Sequence, residues 1–148
     1  MVDKALENDP LTPQGGFAQN VGYRLDTWEE GRADVVLEIA PHHLNRSGVM
    51  HGGVLTTLID TACGFSGCYC KVPGNARRAM TLQLTAQFLA PAQEGARVTA
   101  AARVVGGGRS VFFADCEVRS EDGRLLGRGE GVFKYRPGSE SPEGQPVG

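Results

Sequence analysis

The stretch His51–Cys70, HGGVLTTLIDTACGFSGCYC, most restricts what this chain can fold into, and Asp60 is its only formally charged residue. Val54, Leu55, Leu58, Ile59, Ala62 and Phe65 recur at the spacing of one helix face. At about 100° per residue, Gly53, Thr56, Thr57, Asp60, Gly64 and Gly67 fall in a narrow stripe on the opposite side. A solvated stripe would carry Lys, Glu and Arg. Gly and Thr around a single carboxylate point instead to something that approaches the helix backbone closely. An ionised carboxylate there is costly unless paired or solvated. Two readings of Asp60 follow: an Asp on a partly wet helix face, or a perturbed carboxylate at a functional site.

A helix with so little polar face needs a wrapper, and the rest of the chain reads as strands. The first is expected at about Val21–Thr27. From Arg32 to Ala40 the alternation is clean, with Ala33, Val35, Leu37 and Ile39 on one face and Asp34 and Glu38 on the other. PHHLNRSGVM then forms a loop into the helix, and Val72-Pro73-Gly74-Asn75 a turn after it. Four further runs follow at Ala79–Ala90, Ala96–Val105, Ser110–Ser120 and Leu125–Arg136. Gly106-Gly107-Gly108 and Glu121-Asp122-Gly123 punctuate the last three as antiparallel hairpins. The expected architecture is α+β: one long helix packed on one side of a curved antiparallel sheet of about five to six strands, the last four in a meander. Residues 1–16 are expected to be a flexible arm, 17–136 the single domain, and the Pro-, Gly- and Ser-rich residues 137–148 a disordered tail. Open sheet edges and the small-residue stripe argue for at least a dimer.

At 148 residues the chain suits one domain, and its net charge of −2 supplies no basic stripe for nucleic acid and no polybasic membrane anchor. No apolar run reaches the roughly 18–20 residues needed to cross a bilayer. MVDKALENDP lacks the features of a secretory signal, so a cytoplasmic location is expected. Cys63, Cys68, Cys70 and Cys116 match no zinc spacing and are read as reduced, partly buried thiols. His42, His43 and His51 have no carboxylate or Cys at ligand spacing, so no metal is expected.

The start of the helix offers chemistry. His51-Gly52-Gly53 places two glycines where backbone N–H groups lack intrahelical partners, a setting suited to an oxyanion or to an ordinary loop-to-helix transition. Asp60 lies eight residues beyond Gly52, about 12 Å along the axis at 1.5 Å per residue. One carbonyl cannot be gripped by Gly52 and attacked through Asp60 of the same helix. Two antiparallel copies related by a twofold axis would bring Gly52 of one near Asp60 of the other.

HLNRSGVMHGGVLTTLIDTACG resembles the hotdog-fold acyl-CoA thioesterases of the phenylacetate-degradation (PaaI-like) type. Their pattern is H/N-x-N-x-x-G-x-x-H-G-G, followed by an acidic residue seven positions after the second glycine. His43, Asn45, Gly48, His51, Gly52, Gly53 and Asp60 fill those places. TLQLTAQFLAPA resembles the family's strand after the helix, with Thr81 and Pro91 in place. The resemblance implies a homodimer with shared active sites, commonly a homotetramer, hydrolysing an acyl-CoA to the free acid and CoA; Phe65, Tyr69, Leu55 and Leu58 could line a pocket for an aryl- or medium-chain acyl group, though core packing is their default role. The resemblance requires no cofactor, since coenzyme A belongs to the substrate. Carried over by position, Gly52 N–H polarises the thioester carbonyl with help from Asn45, and His51 orients the thioester or its neighbours. Asp60 of the facing subunit acts as general base or nucleophile, and Thr81 positions the water. Gly53, Arg109 and Ser110 are the substrate-binding candidates, with Arg77 and Arg78 as other cations for the CoA phosphates. Taken singly, Asn45 could form an Asx-turn, His51 could be a structural hydrogen-bond partner and Thr81 an ordinary strand residue. The competing functions are a hotdog hydratase or dehydratase and a non-catalytic acyl-CoA-binding module.

Overall fold

The apolar face of the central helix is covered as its pattern requires. In the computed structural model, which describes residues 16–147, the chain runs α1 (Gly16–Val21), β1 (Arg24–Glu29), β2 (Arg32–Glu38), a 3-10 turn (Pro41–His43), α2 (Gly52–Ser66), β3 (Asn75–Ala76), β4 (Ala79–Phe88), β5 (Arg97–Gly107), β6 (Val111–Ser120), β7 (Leu125–Tyr135) and β8 (Gln145–Pro146). The expected α+β architecture is present: six antiparallel strands in the order β1-β2-β5-β6-β7-β4, all of them touching α2. The arm expected over residues 1–16 lies outside the described residues except for Gly16, which opens α1. The first strand begins after that short helix, at Arg24, later than expected.

From α2, Leu55, Leu58, Ile59, Ala62 and Cys63 enter the core. They meet Val35 and Leu37 of β2, Val98 and Ala100 of β5, Phe112, Ala114 and Val118 of β6, and Phe133 of β7. Strand β7 reads LLGRGEGVFKY, and two of its three glycines let it lie close under the helix. A Cβ on Gly127 would fall 2.6 Å from Leu55 Cδ2, and one on Gly129 would fall 2.9 Å from Ile59 Cγ2 and 2.5 Å from Thr85 O. Any larger residue at these positions would push the helix off the sheet. Trp28 ties β1 to the far end of the helix by donating its indole N–H to Phe65 O at 2.8 Å.

Two expectations are corrected. Strands β5, β6 and β7 form a meander, but β4 is not its first member. It pairs with β7 at the opposite edge, Thr85 facing Glu130. The link between β4 and β5 holds Pro91 and no two-residue turn, and it joins strands that are not neighbours in the sheet instead of reversing into a hairpin. Its backbone is tied off on the way, with Leu89 and Ala90 N–H donating to Leu126 O, Met50 N–H to Ala92 O and Gly95 N–H to Ile39 O.

The residues after Arg136 are folded rather than disordered. Strand β8 pairs with β3, and Ser139 is buried. Low hydrophobicity misleads here because polar side chains of the domain hold this segment. Arg77 donates to Ser139 O (3.0 Å) and Glu140 O (3.3 Å), Asn75 to Glu143 O (2.9 Å), and Ser139 Oγ accepts from Arg78 N–H (2.8 Å).

Candidate active site

The loop before α2 is built by side chains that replace missing backbone partners. His43, 3% exposed, accepts from Ala40 N–H through Nδ1 and therefore carries its proton on Nε2, which donates to Val21 O at 2.5 Å. Its role is structural, and His42 beside it is exposed. Asn45 Oδ1 accepts from Ser47 N–H (2.9 Å) and Val49 N–H (3.3 Å), which makes an Asx-turn. Its Nδ2 amide is bonded to no group among the described residues. The turn therefore fixes the side chain and leaves a donor on it.

His51 is the N-cap of α2, accepting from Gly53 N–H through Nδ1 at 2.8 Å. The cap fixes the Nε2–H tautomer and makes His51 a donor rather than a base. It also commits the Gly53 N–H, so the expected substrate-binding role of Gly53 loses its donor. Gly52 N–H differs: no described residue accepts from it. A Cβ on Gly52 would sit 3.2 Å from the Phe88 ring, so glycine lets that aromatic side chain pack against the first turn.

The small-residue stripe has two causes. Thr56 and Thr57 return their hydroxyls to Gly52 O and Gly53 O, four residues back. Gly67 is closed in by its own chain, since a Cβ there would lie 2.3 Å from Phe112. Thr56, Thr57, Asp60 and Gly64 stay partly exposed, so the middle of the stripe is what the chain's own sheet does not cover.

In that uncovered middle, Thr81 Oγ1 donates to Asp60 Oδ1 at 2.6 Å. The register of β4 against β7 slips between Thr81 and Gln83, leaving Leu82 as an extra residue. A bulge of this kind re-aims side chains at a strand edge. Asp60 and Thr81 line a pocket of about 240 Å³ with Trp28, Gly64, Phe65, Cys68, Arg77 and Phe133 among its walls. The pocket therefore offers a carboxylate, a hydroxyl and the Arg77 guanidinium, and most of the remainder is apolar.

Arg109 and Ser110 sit on the β5–β6 hairpin, exposed, with Ser110 O accepting from Tyr135 N–H. Neither lines the Asp60 pocket. Sequence reasoning singled out Arg77 only as a possible phosphate cation and gave Trp28 and Phe133 no part in the site. Their arrival depends on long-range strand pairing and on the folded-back tail, which no local spacing signals. Among the described residues no group of His, Cys, Asp or Glu could hold a metal ion. The hydrogen bond with Cys63, and then burial, pushes the Cys116 thiol up, which keeps it protonated.

The pattern described as the thioesterase superfamily matches residues 47–126, a span that holds Gly48, His51, Gly52, Asp60 and Thr81. The chain belongs to the thioesterase superfamily and is, with its hotdog fold, a thioester hydrolase. Among named proteins it is similar to the acyl-coenzyme A thioesterase PaaI of Escherichia coli, with 29% identity over 127 residues, 85% of this chain and 87% of that one. The solved structure of the E. coli PaaI protein from the phenylacetic acid degradation operon matches with a TM-score of 0.78 at 25% identity, over 90% of this chain and 94% of that one. A Caenorhabditis elegans protein named as an esterase is 32% identical over 97 residues, 64% of this chain, and the chain spans 55% of that protein's length.

Proposed function

We propose that the protein hydrolyses an aryl- or medium-chain acyl-CoA to the carboxylic acid and CoA, with Asp60 as general base in a site shared by two copies of the chain. The observation that carries this reading is the Thr81–Asp60 hydrogen bond on the wall of a mostly apolar pocket. Thr81 occupies one carboxylate oxygen and leaves the other to take a proton. The Thr81 hydroxyl oxygen, having donated its own hydrogen, accepts from the same water and orients it.

Water adds to the thioester carbonyl as its proton passes to Asp60. The oxyanion that forms needs donors, and Gly52 N–H at the helix start with the Asn45 amide supplies them. About 12 Å of helix separates Gly52 from Asp60, so those donors come from the second copy. When the C–S bond breaks, the proton on Asp60 goes to the departing thiolate. Strand β4 supports a twofold pairing: it is an open sheet edge carrying exposed Met80, Leu82 and Phe88, with exposed Leu89 just beyond its end. Pairing of such dimers into a homotetramer, a cytoplasmic location and CoA contacts from Arg109 and Ser110 belong to the same proposal. Among the described residues no helix is long and apolar enough to cross a membrane.

Asp60→Asn, which keeps size and removes basicity, is expected to lower thiol release from a hydrolysed acyl-CoA by at least about 100-fold. Unchanged turnover in the folded variant would overturn the assignment.

A further inference from the structure

We infer that Arg77, clamped by the folded-back segment 137–147, is a specificity residue that selects acyl groups ending in a carboxylate. The inference rests on the thioesterase reading above and goes on to name the class of acyl group. Arg77 lines the same pocket as Asp60 and Thr81. Its guanidinium lies 4.2 Å from the centre of the Tyr135 ring. It is braced by two main-chain carbonyls, Nε donating to Ser139 O and Nη2 to Glu140 O. Tyr135 is held in turn, its hydroxyl donating to Gly67 O at 2.6 Å.

None of these partners is a carboxylate. No Asp or Glu among the described residues forms an ion pair with Arg77, whereas Arg24, Arg32, Arg97, Arg119 and Lys71 all do so on the surface. Besides its contact with the ring, Arg77 interacts with the Tyr135 hydroxyl, and its charge reaches the Glu143 carboxylate without forming an ion pair. The result is a fixed cation without an ion-paired carboxylate on a pocket whose walls, apart from Asp60 and the threonines, are chiefly apolar. Arginine's planar fork suits a carboxylate above other anions of that size.

Size decides between the acyl group and the CoA phosphates as the occupant. A pocket of about 240 Å³ is below the roughly 300–1,000 Å³ typical of whole-ligand sites and takes an acyl group, not a nucleotide. The pantetheine arm moreover carries the phosphates far from a thioester held at Asp60. Arg77 precedes Thr81 by four residues, so their Cα atoms are at most about 14 Å apart. A six-carbon diacid and the arginine stem bridge that gap together. Asp60, also on the pocket, repels a carboxylate that enters the wrong way round and so favours the orientation with the thioester at Asp60.

The test compares adipyl-CoA with hexanoyl-CoA, equal in carbon count, and with 6-hydroxyhexanoyl-CoA, by thiol release. The wild type is expected to show a kcat/KM for adipyl-CoA at least tenfold above that for hexanoyl-CoA, a comparison that needs no variant. In Arg77→Met the ratio of adipyl-CoA to hexanoyl-CoA kcat/KM should fall at least tenfold, mainly through a raised KM for adipyl-CoA. Arg77→Lys should keep part of the preference. A wild-type preference absent for adipyl-CoA, or a ratio unmoved in Arg77→Met, overturns the inference and leaves the thioesterase reading intact. An equal preference for the hydroxyacyl substrate also overturns it, by showing that the site reads an oxygen acceptor and not a charge. Absence of thiol release from these three and from every other acyl-CoA tried overturns both.

Discussion

The hydroxyl of Thr81 has a single hydrogen, and the 2.6 Å bond to Asp60 Oδ1 uses it. Replacing Thr81 by Val keeps the β-branched shape and removes that donor. A hydrogen bond to a charged group contributes about 1.5–3 kcal/mol, so Thr81→Val should lower kcat about 10- to 100-fold with little change in Tm. Thr81→Ser should recover most of the rate. Equal kcat for Val and Ser would show that the hydroxyl takes no part. At this scale the sequence was informative where one residue has one partner nearby: Asn45 in its Asx-turn and His51 as a cap both lie within four residues of their partners. It was uninformative for Arg77, whose partners Ser139 and Glu140 lie 62 and 63 positions away.

Among the elements, α2 was readable because its periodicity and its burial have the same cause, the packing of one face on a sheet. Strand β7 was readable as a strand, yet its glycines carried no warning of their purpose. Alternating Gly127, Gly129 and Gly131 looks like a weak strand in a propensity table, and only Leu55 and Ile59 above the first two and Phe133 and Leu84 beside the third explain it. Gly129→Ala is therefore expected to destabilise the fold by about 1–3 kcal/mol, lowering Tm by several degrees in thermal denaturation. Gly108→Ala, with nothing within 4 Å of the added carbon, should melt with the wild type. On the outer face Arg24 donates to both oxygens of Glu38 at 2.8 and 3.0 Å, and Arg97 adds a third bond. The hydrogen bond from Arg24, despite the opposing effect of desolvation, holds the Glu38 carboxyl below the usual range. A depressed carboxylate stabilises the fold above its unfolded pKa, and that contribution is lost as pH falls through the folded value. Both groups are about half exposed, 51% and 49%, so the effect is at most about 1 kcal/mol. Glu38→Gln should melt below the wild type at pH 7 in low salt, and the two should converge as pH drops below ~4. A gap that persists in acid would mean that the pair is not its source.

For the molecule as a whole, the helix start and the middle of the helix are too far apart to act on one carbonyl, and that arithmetic was available from residue numbers. The strand order was not, because the edge on which β4 settles depends on its partner β7, some fifty residues on. A shared site has a distinctive genetic signature. Asn45→Ala and Asp60→Asn subunits, each inactive alone, should regain activity when coexpressed, since a mixed dimer rebuilds one complete site from the two unmutated halves. If both residues served the same chain's site, every site in the mixture would carry a lesion and no activity would return.

The closeness of β7 to α2 also bears on how variant libraries of this protein should be interpreted. Ranked by activity alone, substitutions at Gly127 and Gly129 would cluster with those at Asp60, and the strand would pass for part of the catalytic apparatus. A parallel readout of soluble protein separates the groups: glycine variants disappear from the soluble pool, while Asp60→Asn stays abundant and silent.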